Sequence, residues 1–132
     1  MNNSVAKKFQ KDLNGGLVGL VLLTTLDQAE TDMYGYEIAK RLAGVNEGRS
    51  IFKEGTIYPV LRSLSAAELL TSRIVPSYSG PPRRYYRITD QGRAVLVEWT
   101  DIWQGTRNFV DRILHAGSPP GIVAQPPRGL DV

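Results

Sequence analysis

The sequence predicts a mainly α fold with a small β-hairpin, and three observations carry that prediction. Apolar residues recur at helical spacing in three short segments before residue 68. Two strand-like runs follow, joined by a turn rich in proline and glycine. A proline-free amphipathic stretch then runs from Asp90 to His115. At 132 residues the chain is expected to form one domain with an appended element. It has no cysteine, which excludes disulfides and thiolate metal sites and makes a cytoplasmic setting the simpler expectation.

Residues 4–14 are polar and helix-compatible, with Val5, Phe9 and Leu13 four residues apart. The Gly15–Gly16 pair lowers helix propensity and predicts a break or kink. From Leu17 to Asp27 a buried helix is expected around Leu17, Leu20, Val21 and Leu23. The apolar run GLVGLVLLTTL, residues 16–26, is too short to span a bilayer and carries no signal-type cleavage site. QAETDM reads as a turn. GYEIAKRLAG forms a short amphipathic helix with Tyr36, Ile38, Ala39 and Leu42 inward, Glu37, Lys40 and Arg41 outward, and Gly44 as its stop.

A third helix is expected from Glu54 to Ala67, where Ile57, Val60, Leu61 and Leu64 fall at i, i+3, i+4 and i+7. Pro59 lies early in it, where a missing N–H does least harm. LLTSRIVP reads as a strand, SYSGPP as a tight connection and RRYYRIT as the returning strand. Tyr85 and Tyr86 must point to opposite faces, one toward the core. The last helix, Asp90 to His115, is opened by Thr89 or Asp90 as N-cap. The tail from Gly117, with four prolines and no periodic pattern, is expected to be irregular or disordered.

Three helices, a hairpin and a long helix is the plan of a winged helix-turn-helix, in which the third helix enters a major groove and the hairpin rides the backbone. Charge is distributed accordingly. Between Ser50 and Arg93 seven basic residues face three acidic ones, whereas Leu13 to Arg49 holds five acids and three bases. A polyanion partner fits that pattern. The prolines of SGPPRRYYRIT stiffen the hairpin and so reduce the ordering cost of docking. Arg83 and Arg84 suit phosphate oxygens, because a guanidinium stays charged and binds bidentately.

YGYEIAKRL, EGTIYPVLRSL and SGPPRRYYRITDQGR, in that order, closely resemble the PadR family of transcriptional regulators, over about residues 13–116. The resemblance implies a homodimeric winged-helix repressor bound to double-stranded DNA at a pseudo-palindromic operator. Many members are released by a small aromatic or lipophilic effector; no cofactor is implied. Tyr36 belongs to the family's second-helix segment, Thr56, Tyr58 and Arg62 to the recognition helix with Lys53 just ahead of it, and Arg83 and Arg84 to the wing. Lys53 and Tyr58 sit near the positive end of the recognition helix and suit phosphate, while Thr56 and Ser63 are short enough to reach base edges. One position departs from the family: Glu68 stands where glycine usually ends the recognition helix, at a cost of about 1 kcal/mol if its backbone is left-handed.

On the last helix Leu96, Trp99, Trp103, Thr106, Val110 and Ile113 follow the three–four alternation of a coiled-coil seam, with Val95, Ile102, Phe109 and Leu114 beside it. So wide an apolar face calls for a second copy, and the resemblance places an effector near Trp103, with Trp99 the lesser candidate. The expected domains are therefore a winged-helix domain at 1–89 (with a helical extension at 1–14), a dimerisation helix at 90–116 and a tail at 117–132. Catalysis is not expected. The single histidine, His115, ends a helix away from any acidic pair, and no phosphate-binding glycine motif or metal-ligand spacing occurs. A winged helix serving protein assembly is the rival reading, and the retained basic residues argue against it.

Overall fold

The structure is a computed structural model and describes residues 3–116; the tail from Gly117 lies outside the described residues. Its elements are α1 (Asn3–Gln28), β1 (Met33–Tyr34), α2 (Gly35–Val45), α3 (Glu54–Ala66), β2 (Leu70–Val75), β3 (Arg83–Ile88) and α4 (Asp90–Leu114). The strands form one antiparallel sheet in the order β1-β3-β2. The chain divides into two units between Glu98 and Trp99. The first holds α1, α2, α3, the sheet and the start of α4. The second, within the described residues, is the remainder of α4.

In the first unit Leu22 and Leu23 of α1, Ile38 of α2, and Ile57 and Leu61 of α3 are completely buried. Ile38, Ile57, Leu61 and Leu23 are inward as their spacing predicts; on α1, however, the buried face is Val18, Leu22, Leu23 and Leu26, and the expected Leu17, Leu20 and Val21 are only half-buried. Tyr86 and Ile88 of β3 close the core from the sheet side, so Tyr86 is the inward member of the tyrosine pair and Tyr85 the outward one.

Three details of the backbone differ from the sequence expectations. First, α1 runs unbroken through Gly15 and Gly16. Two glycines cost about 2 kcal/mol, but a break would require a second helix to nucleate, which is costlier than adding residues to an existing one. Asn14 also ties the helix down at this point. Its Nδ2 donates to the Ile51 carbonyl (2.8 Å), and Gln10 Nε2 donates to Asn14 Oδ1 (2.7 Å). Second, Gly44 lies inside α2 rather than ending it. The turn comes later, where Gly48 adopts φ +89° and its N–H reaches back to the Ala43 carbonyl (2.8 Å). Third, the hairpin gains a two-residue edge strand, β1, taken from a segment read as turn: Met33 pairs with Tyr86 and Tyr34 with Tyr85.

Glu68 is indeed left-handed, at φ 66°. The Leu69 N–H bonds the Leu64 carbonyl (2.9 Å) and the Glu68 N–H bonds the Ser65 carbonyl (2.9 Å). This is a Schellman end with glutamate at its glycine position, and Leu64 and Leu69, the positions between which such an end commonly makes an apolar contact, are both buried. Helix α4 is capped by Thr89, whose Oγ1 accepts from the Gly92 N–H (2.9 Å) and donates to the Glu68 carbonyl (2.8 Å).

Candidate nucleic-acid interface

Because α3 turns Ile57, Leu61 and Leu64 to the core, its opposite face presents Thr56, Arg62 and Ser63 to solvent, with Lys53 exposed at the N-cap. Tyr58 is half-buried. It packs so closely on the first residue of α2 that a Cβ at Gly35 would collide with its ring, so glycine there is what lets α2 and α3 approach. Burial, and then the charge and hydrogen bond of Glu54, push the Tyr58 phenol above its ordinary value. It remains a neutral hydroxyl able to donate to an oxygen anion.

Gly35 lies between two further tyrosines. Tyr36, expected to face inward, is instead 54% exposed, because the inner face of α2 is carried by Gly35 and Ile38. The Tyr34 ring stacks on Tyr36 (centroids 6.3 Å apart) and tilts against Tyr85 (5.3 Å). The Arg83 guanidinium lies 4.5 Å over the Tyr34 ring and that of Arg73 5.3 Å over Tyr85. The structure thus brings Tyr36, Tyr58 and Arg83 around the Tyr34–Gly35 step. Arg84 is not with them. As the next residue of β3 it points to the other face, where its Nη1 donates to Ser72 Oγ (3.0 Å).

The remaining arginines of the basic middle third have carboxylate partners. Arg87 Nε meets Asp32 Oδ1 at 2.8 Å, and Arg73 Nε meets Asp32 Oδ2 at 3.0 Å. Arg93 pairs with Asp27 (3.2 Å) and Asp90 (3.1 Å). Among the described residues no ion pair engages Lys53, Arg62, Arg83 or Arg84. The basic middle third therefore resolves into three compensated cations and four uncompensated ones. Sequence reasoning missed Asp32, Tyr34 and Gly35. A two-residue strand is too short to show a period, and the partners of Asp32 lie 41 and 55 residues away.

The hydrogen bond from Arg87, reinforced by Arg73 and opposed by burial, holds the Asp32 carboxyl below the usual carboxylate range. A depressed folded-state value means that the stabilisation is complete above the unfolded value, about 3.9, and is lost as pH falls through the folded one. In urea titrations Asp32→Asn is expected to be less stable than the parent by about 1 kcal/mol near neutrality. That gap will close below about pH 4.

On α4, Leu96 is buried within the first unit, at 8% exposure. Trp99 and Trp103 are half-buried, while Thr106, Val110 and Ile113 are exposed. In the neighbouring strip Ile102, Phe109 and Leu114 are exposed as well. Among the described residues no helix is long and apolar enough to cross a membrane.

The model of the transcriptional regulator PadR-like family matches residues 22–98, from the buried half of α1 to the start of α4. The chain belongs to the PadR-like family. Members of this family are transcriptional regulators rather than enzymes. A PadR family transcriptional regulator from Eggerthella lenta is 30% identical and superposes with a TM-score of 0.73, over 87% of this chain and 96% of its own. An uncharacterized protein of Lysinibacillus sphaericus is 31% identical over 103 residues, covering 78% of this chain and 92% of that one. The PadR of Bacillus subtilis, solved in complex with operator DNA, shares the fold (TM-score 0.56, 24% identity) over 64% of this chain and 46% of its own.

Proposed function

We propose that this PadR-like regulator represses transcription as a homodimer on a pseudo-palindromic operator. One observation carries the reading: of the seven cations between Ser50 and Arg93, the four without a carboxylate partner among the described residues, Lys53, Arg62, Arg83 and Arg84, all lie on α3, its N-cap and the wing. Free positive charge on a helix and a neighbouring hairpin is what a groove-and-backbone docking needs. In this reading Lys53, Tyr58, Tyr36, Arg83 and Arg84 hold phosphates, and the exposed Thr56, Arg62 and Ser63 face base edges. The B. subtilis PadR, with operator DNA in its structure, shares this architecture, which supports DNA binding by this fold.

Dimerisation is assigned to the α4 seam of Trp99, Trp103, Thr106, Val110 and Ile113, without Leu96, which the first unit already buries, and with the exposed Val5, Phe9 and Leu13 of α1 as further apolar surface to cover. Trp103, with Trp99, is the platform on which an aromatic effector stacks to release DNA. The test is titration of the purified protein against its own upstream DNA across a salt series, with sedimentation alongside. A dimer whose affinity falls steeply with salt supports the reading, and a dimer with no DNA affinity at low salt overturns it. Arg84→Ala is expected to weaken binding to all duplexes alike and to reduce the salt slope by about one, because a phosphate contact carries no sequence information.

A further inference from the structure

We propose that Asp32 is a positioning residue for DNA recognition: it pins the wing to the α1–α2 connection and withholds Arg73 and Arg87 from DNA. The inference rests on the DNA-binding reading above. The wing needs such a pin, since β1 holds β3 through only two residue pairs, and no residue of the connection between β2 and β3 is buried. Asp32 immediately precedes β1 and is almost covered, its side chain 11% exposed, yet both its partners are more than half exposed. Arg87 stands on β3 and Arg73 on β2. In the β2–β3 register Thr71 pairs with Arg87 and Arg73 with Tyr85, so the two arginines are diagonal neighbours on the outer face. One carboxylate therefore ties all three strands together.

The contacts continue toward the assigned DNA surface. Arg73 lies over Tyr85, Tyr85 meets Tyr34, and Tyr34 carries Arg83. Losing the Asp32 charge has two separable consequences. The wing loses its fixed direction, which penalises operator docking. Two guanidinium groups also become available to any phosphate, which favours indiscriminate binding. A salt bridge that served stability alone would produce neither a change in the ratio of the two affinities nor a change in salt slope.

The experiment compares the full chain with Asp32→Asn, which keeps the shape and removes the charge. Each is titrated by fluorescence anisotropy against its upstream DNA and against a random-sequence duplex over a salt series. For Asp32→Asn, operator affinity is expected to fall about tenfold, while random-duplex affinity rises and its salt slope steepens by about one to two. Parallel loss on both duplexes with an unchanged slope overturns the proposal. Should Asp32→Asn fail to fold by circular dichroism, Arg73→Gln decides. Operator affinity is then expected to fall severalfold at an unchanged slope, and a slope lower by about one would put Arg73 on phosphate itself and overturn the assignment. If the unaltered protein binds neither duplex at low salt, the regulator reading fails first. If it binds its operator while Asp32→Asn keeps both ratio and slope, only the role of Asp32 fails.

Discussion

Gly92→Ala is expected to destabilise the protein by about 2–3 kcal/mol, with a fall in Tm of about 10 °C at fixed protein concentration. Propensity alone predicts the opposite sign, since alanine is favoured over glycine in a helix interior by about 1 kcal/mol. The reversal comes from position. Gly92 is buried in the first turn of α4, and a Cβ there would run into the Leu69 carbonyl oxygen and the Ile88 side chain. The carbonyl cannot yield cheaply. It accepts the Thr89 N–H (3.0 Å), and the Thr89 hydroxyl lies 3.1 Å from it. Thr89 in turn caps α4 and bonds the Glu68 carbonyl at the end of α3. One methyl group thus strains the point where α3, both wing strands and α4 converge. Calorimetry or urea unfolding measures the effect, and an alanine variant as stable as the parent would show that the junction has room to spare.

In the proposed homodimer, Val110→Asp combined with Ile113→Asp is expected to yield a monomer at micromolar concentration. Operator affinity is expected to drop by about 100-fold or more. Both residues are exposed, at 44% and 61%, so the substitutions remove little from the fold of a single chain and the melting of the first unit will barely change. Four carboxylates desolvated in an apolar seam, in contrast, oppose association strongly. The DNA effect follows from linkage. A dimer engages its second half-site at the high effective concentration set by the first, an advantage of about 10²–10⁴ that a monomer loses. Sedimentation and anisotropy together test this. A dimer that persists with full affinity would move the interface off this seam.

The residue pattern by itself determined the local elements. Ile57, Leu61 and Leu64 mark the inner face of α3 because a helix repeats every 3.6 residues, and the alternation of RRYYRI marks β3 because a strand repeats every two. The cap of α4 was legible as Thr89 or Asp90, since a cap depends on neighbours within a few residues, whereas Glu68 stood out as a strained helix end only through the family resemblance. The tertiary structure alone decided the rest. It formed β1, whose two residues carry no period, and it let α1 continue through two glycines, because elongation is cheaper than a second nucleation. It also sorted the arginines. Composition counts seven positive charges in the middle third without distinguishing them. Folding brought Asp32 to Arg73 and Arg87, and Asp27 to Arg93, across 41 to 66 residues of chain. Ionic compensation depends on distance in space, and no short-range pattern encodes that distance. What the fold left uncompensated on α3 and the wing is the surface assigned to DNA.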